Sequence, residues 1–244
     1  MNITKYKLKK KNLYEVTIDN EKYDIYEDVI IKHKLLLKHN ITKQDLDKYL
    51  NENKFYEAYY NSIKFISIKM RSKKELKDYL TKKEYNKELI NEVTNKITNE
   101  GYLDERKYAK AYILDCINLK NDGPIKIKKE LLKHEIDSNI IDDELTIFKI
   151  EIINNKINKY IDKEIKTNKT KSSKILKEKI LNNLILKGYS REDILRNLST
   201  KEIDDKQIYE NEYNKINNKL SKKYESKELE LKIKQKMYQK GFYK

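Results

Sequence analysis

Apolar residues recur three and four positions apart along most of this chain, and the same arrangement returns about every 50 residues in its C-terminal four-fifths. In the first copy Leu76 and Leu80 lie one helical turn apart, Lys83-Glu84-Tyr85 follows, and Leu89, Ile90 and Val93 come next. The second copy runs Ile127, Leu131, His134-Glu135-Ile136, Ile140, Ile141, and the third Ile180, Leu184, Lys187-Gly188-Tyr189, Ile194. The fourth offers Ile233, Met237 and Lys240-Gly241-Phe242, where the sequence stops. Each copy predicts a short helix, a turn and the start of another helix. A longer amphipathic helix is predicted ahead of each short one, through Ala58, Ile63, Ile66 and Met70, then Tyr108, Ala111, Leu114 and Ile117. Ile150, Ile153, Ile157 and Ile161 give the third, and Tyr209, Tyr213, Ile216 and Leu220 the fourth. The predicted unit is three helices, the fourth unit ending after its second.

Residues 1–50 follow a different rule. Tyr6-Lys7-Leu8 and Leu13 to Ile18 alternate as strands do, Asp19-Asn20-Glu21 reads as a turn, and Tyr23 to Tyr26 as a returning arm. Helices are predicted around 27–37 and 43–50, the second with Thr42 as N-cap and Asp45 as a first-turn acid. The expected fold is mainly α: an elongated, curved array of three-helix repeats behind a small β-containing N-terminal extension. Its expected parts are an extension at 1–50, repeats at 51–103, 104–149 and 150–204, and a partial repeat at 205–244.

Only four glycines and one proline interrupt this helical text, and all fall at its joints. Gly101 precedes Tyr102-Leu103-Asp104, Gly123 precedes Pro124, and Gly188 and Gly241 occupy the same turn in successive copies, where a helix end commonly needs a positive φ. Neither dinucleotide nor P-loop glycine spacing occurs. The three histidines and the single Cys116 form no ligand or triad spacing, so no metal, cofactor, disulfide or enzymatic activity is expected. Nothing in the N-terminal residues reads as a signal or a membrane span, and a reducing cytoplasm and a monomer fit best.

Charge adds an anionic partner to this picture. The chain holds 55 Lys and Arg against 40 Asp and Glu, a net charge of +15. Only Arg71, Arg106, Arg191 and Arg196 are arginine, and the Lys, Asn and Ile bias is what an AT-rich genome produces. The lysines are interleaved with acids throughout, so a single Lys run reads first as a solvated face.

The joint Glu100-Gly101-Tyr102-Leu103-Asp104-Glu105-Arg106-Lys107-Tyr108-Ala109 resembles the Gly-Tyr-Leu-Asp-Asp-x-x-Phe-Ala signature of the RecX family. Lys69-Met70-Arg71-Ser72-Lys73-Lys74-Glu75-Leu76 resembles the family's Arg-Pro-Arg-Ser-x-x-Glu-Leu, and Gly123-Pro124-Ile125-Lys126-Ile127-Lys128-Lys129-Glu130-Leu131 its Gly-Pro-x-x-Ile-x-x-Glu-Leu. Met70 stands where the family has proline, and His134-Glu135 where Lys-Gly is common. The resemblance implies a non-enzymatic regulator that lies in the groove of the RecA filament on single-stranded DNA and reduces ATP hydrolysis, strand exchange and filament growth. The alternative is a helical protein that binds DNA directly, without RecA.

Candidate contact residues follow from these motifs. Arg71 matches a family arginine, and its planar guanidinium suits carboxylate or phosphate. Lys69 and Lys73 flank it, and Lys126, Lys128 and Lys129 cluster at the start of the helix after Pro124, where cations oppose the helix dipole. A structural reading competes at Ser72 and Glu75, whose spacing is that of a capping box. Tyr102, Leu103 and Asp104 read as packing and capping residues, and most of the 20 tyrosines as core.

Overall fold

The computed structural model describes residues 1–243 and is mainly helical, with one small N-terminal sheet. The chain forms two compact units, Met1–Tyr108 and Ala109–Lys244.

The first unit opens with an antiparallel sheet of β1 (Ile3–Lys10), β2 (Leu13–Ile18) and β3 (Glu21–Tyr26), in that order. Alternation in β2 sends Val16 and Ile18 into the core, where both are buried. Asp19 and Asn20 alone make the β2–β3 turn, with φ of 46° and 69°. Two left-handed residues match the twist of the flanking strands, so Glu21 already belongs to β3. Helix α1 (Glu27–Lys32) and a 3-10 turn at Leu35–Leu37 lead to α2 (Lys43–Ile68). The Thr42 side chain accepts from the backbone N–H of Asp45, whose carboxylate accepts in return from Thr42, closing a capping box.

Helix α2 runs 26 residues without a break, so the boundary expected at residue 50 falls inside it. Its two halves serve two cores. Leu46 and Tyr49 pack with Val16, Ile25 and Val29 beside the sheet, whereas Ala58 packs with Leu76, Leu80, Val93 and Ile97. These last residues come from α3 (Lys73–Thr81) and α4 (Lys87–Asn99), which complete a three-helix bundle with the end of α2. The apolar stripe ends at Ile66: Met70, which sequence spacing placed on it, lies beyond α2 and is exposed. After Gly101, Leu103 enters the core, but Tyr102 stays 57% exposed, against the expectation that both would pack.

Helix α5 (Glu105–Leu119) begins where Asp104 accepts from the backbone N–H of Lys107 and carries buried Ala109, Ile113 and Cys116 on one face. The second unit continues with α6 (Pro124–Lys133), α7 (Ser138–Leu145), α8 (Ile150–Thr167), α9 (Ser173–Leu186), α10 (Arg191–Ser199), α11 (Lys206–Leu220) and α12 (Ser226–Gln239). Ile157 and Ile161 of α8, Leu176, Ile180 and Leu184 of α9, and Ile194 and Leu198 of α10 share one core, so these three helices form a bundle like that of α2, α3 and α4. The buried Asn197 side chain ties it polar-side to Asn154 and Asn158 of α8 at 2.9 and 2.7 Å. Ile233 and Met237 of α12 pack with Ile208 and Ile216 of α11.

The four turns that the repeat predicts adopt one geometry. Glu84, Glu135, Gly188 and Gly241 all have positive φ, at 63°, 58°, 88° and 85°. The residue after each donates its N–H back across the helix end, Tyr85 to Leu80, Ile136 to Leu131, Tyr189 to Leu184 and Phe242 to Met237. This is the hydrogen bond of a Schellman C-cap. The departure from Lys-Gly at His134-Glu135 therefore leaves the turn intact.

Gly123 behaves otherwise: it is the N-cap of α6 with φ of −87°, not a left-handed turn. Its N–H donates to the Lys187 carbonyl at 2.7 Å, and the Ile125 N–H to the Gly188 carbonyl at 3.0 Å. The C-terminal turn of α9 thus docks on the N-terminus of α6. The same contact recurs one step along, where the Ser172 N–H at the start of α9 donates to the Lys240 carbonyl at 3.1 Å.

Candidate interaction surfaces

Arg71 sits just ahead of α3, in the short stretch between α2 and Ser72. The Ser72 hydroxyl accepts from the Glu75 N–H, and the Glu75 carboxylate accepts from the Ser72 N–H at 3.0 Å, so the capping box read from the sequence is present. The second Glu75 oxygen accepts from Arg71 at 3.2 Å and lies 3.8 Å from the Lys69 ammonium. Burial pushes the Glu75 carboxyl upward, but the Ser72 backbone donor and the Arg71 guanidinium overcome it and hold the pKa below the usual 4.5. The guanidinium carbon is 4.1 Å from the centroid of the Phe65 ring, which stacks on Tyr79 at 4.2 Å. Arg71 is only 17% exposed. It bridges the end of α2 and the start of α3. Lys73, one residue into α3, pairs with Glu105 at 2.8 Å.

Lys126, Lys128 and Lys129 lie on α6 in the second unit, so the six candidates belong to two separate groups, one per unit. Lys126 pairs with Asp122 at 2.8 Å, which raises its pKa through the hydrogen bond, and Lys128 pairs with Asp142. Lys129 is exposed with no ion pair among the described residues. Five of the six candidate cations thus already face a carboxylate.

Cations with no carboxylate partner among the described residues converge elsewhere in the second unit. The end of α5, one face of α8 and the end of α9 enclose a cleft of about 930 Å³ that holds Lys120, Lys156, Lys159, Lys163 and Lys187. The Lys156 ammonium, half-buried, donates to the Lys120 carbonyl at 2.8 Å; burial lowers its pKa and Lys159 lowers it further. Lys187 lies over the Tyr160 ring, 5.8 Å from its centroid, and Asn183 donates to the Tyr160 hydroxyl. The one acid in the cleft, Asp162, is engaged by Lys201 at 2.8 Å. Lys156, Lys159 and Lys163 are spaced for one helical face, a signal present in the sequence but masked by the Ile153, Ile157, Ile161 stripe beside it and by the general lysine richness.

Cys116 is buried, and burial raises its thiol pKa, which disfavours a reactive thiolate. Among the described residues no group of three or more His, Cys, Asp or Glu side chains could hold a metal ion, and no helix is long and apolar enough to cross a membrane.

Residues 58–96 match the first three-helix domain of RecX and residues 104–145 the second. The regulatory protein RecX of Streptococcus sanguinis (strain SK36) is 32% identical over 249 residues, covering 99% of this chain and 95% of that protein. The regulatory protein RecX of Bacillus cereus (strain 03BB102) is 34% identical over 253 residues, 98% of this chain and 93% of that protein. A crystal structure of a regulatory protein RecX shares the fold with a TM-score of 0.70 at 22% identity, over 79% of this chain and 96% of that one. The crystal structure of RecX from Lactobacillus salivarius gives a TM-score of 0.56 at 25% identity, over 60% of this chain and 95% of that one.

Proposed function

The chain belongs to the RecX family of regulatory proteins, and on that premise we propose that it binds the RecA filament on single-stranded DNA and restrains its ATP hydrolysis, strand exchange and growth. The observation that carries this reading is the near end-to-end likeness to regulatory RecX proteins, with both three-helix domains in place. It acts by occupancy rather than by chemistry, as a cytoplasmic monomer. Each further repeat that touches the filament raises the effective concentration of the next, so several weak contacts give durable binding.

Lys69 and Lys73 in the first unit, and Lys126, Lys128 and Lys129 in the second, are the proposed contacts, with Arg71 as the residue that positions the first pair. Exposed lysine pairs are worth only about 0–1 kcal/mol, so Lys69, Lys73, Lys126 and Lys128 can exchange their internal carboxylates for those of a partner at little cost. Arg71 is different, because its ring and carboxylate contacts are internal and half-buried; its role is to fix the α2–α3 corner that presents Lys69 and Lys73. The test is the ATPase of RecA on single-stranded DNA with equimolar protein added. Hydrolysis falls on addition, and replacing Lys126, Lys128 and Lys129 by Ala weakens the effect without lowering the melting temperature. Unchanged hydrolysis and filament length overturn the reading.

A further inference from the structure

The lysines of the α5–α8–α9 cleft are outside every motif that identified the family. We propose that this cleft binds single-stranded nucleic acid through its phosphates, with Lys120, Lys159 and Lys163 as the main contacts and Lys156 and Lys187 behind them. Five cations share one recess with a single, already engaged carboxylate, whereas elsewhere on this chain lysines are interleaved with acids. Concentrating like charge in a concavity raises its potential and attracts a polyanion. Such a concentration is costly without a counter-charge. Lys156 illustrates the arrangement: burial, with a smaller effect of Lys159, lowers its pKa, and its ammonium is turned onto the Lys120 backbone carbonyl instead of an acid.

The arrangement fits one strand better than a duplex. Lys156, Lys159 and Lys163 run along a single helix face over about 10 Å, which follows a few successive phosphates of one backbone. Asn118, Asn121 and Asn155 line the same recess, offering both donors and acceptors to base edges that only an unpaired strand exposes. This contact needs no RecA, and its test contains none, so it stands or falls separately from the filament reading.

Full-length protein is titrated into a fluorescent oligo-dT, and anisotropy is followed from low to moderate salt. The Lys120→Gln/Lys159→Gln/Lys163→Gln variant, changed only at exposed positions, is expected to bind about tenfold more weakly, and to lower the log–log salt slope by about 2, at roughly 0.7 per phosphate contact. A matched variant, Lys5→Gln/Lys7→Gln/Lys10→Gln on β1, is expected to stay within about twofold of wild type, which separates a local site from net charge. A photo-crosslinker attached at Asn155→Cys joins the oligonucleotide. The proposal is overturned if the two triple variants lose equal affinity, if the cleft variant loses none, if duplex DNA or polyglutamate binds as tightly as oligo-dT, or if the Asn155→Cys adduct fails to crosslink.

Discussion

Gly123 and Gly188 meet backbone to backbone: a Cβ on Gly123 would stand 2.5 Å from the Gly188 carbonyl oxygen, and one on Gly188 would stand 2.4 Å from Cβ of Lys126. Both approaches are closer than any side-chain carbon tolerates, and Gly188 also needs φ of +88°. The seam between the C-terminal turn of α9 and the N-terminus of α6 is therefore specified by two glycines that lie 65 residues apart in sequence.

Gly188→Ala combines a left-handed alanine with a backbone clash. It is expected to destabilise the second unit by about 2–4 kcal/mol, read from the urea midpoint of the full chain. A midpoint that stays in place would mean the two helix ends can part without cost.

Glu84 carries the same left-handed turn as Gly188 with a side chain that gains nothing from it. It is exposed, and φ is 63°. Glu84→Gly removes the steric cost of αL, so a stabilisation of about 0.5–1 kcal/mol is expected, with an increased melting temperature and an unchanged helical signal. A drop in stability would show that unfolded-state entropy outweighs the relief of strain at this position.

Acid should weaken the α2–α3 corner through Glu75. A carboxyl held below its ordinary 4.5 in the native protein binds fewer protons there than in the unfolded chain. Its contribution is complete above about pH 4.5 and is lost as the pH falls through the depressed native value. Arg71→Ala removes one of the groups that depress it, along with the contact to Phe65. The variant is expected to be less stable by about 1–2 kcal/mol at neutral pH, and the acid-dependent part of its stability should shrink, as followed by denaturant midpoints at stepped pH. Arg71→Lys keeps the charge without the planar stack and should fall between the two.

The repeats were legible in the sequence because their signals are local. Thr42 with Asp45 and Ser72 with Glu75 close caps within three residues, and Leu76 and Leu80 or Ile180 and Leu184 mark buried faces one turn apart. What stayed hidden depends on distant partners. The boundary expected between residues 50 and 51 lies inside α2, which continues through Asn51-Glu52-Asn53-Lys54. There the Asn53 side chain accepts from the Tyr26 N–H at 2.7 Å and donates to the Asp24 carbonyl at 2.9 Å, fastening the helix to β3. Gly123 could not be distinguished from a turn glycine, since its reason is a carbonyl contributed from Gly188. The candidate cations belong to the motifs, and although Asp122 stands only four residues from Lys126, neither the carboxylates opposite Lys73 and Lys128 nor the convergence of Lys120 with α8 is written in local spacing.

The joints within the second unit are made of main-chain atoms: the carbonyls of Lys187 and Lys240 receive the N–H groups of Gly123 and Ser172. Main-chain atoms are the same whatever residue carries them. A lineage under pressure to fill its proteins with lysine, asparagine and isoleucine can thus rewrite nearly every exposed position of such a seam, provided the few small residues that let the backbones touch are kept. The architecture is insulated from the vocabulary in which it is written.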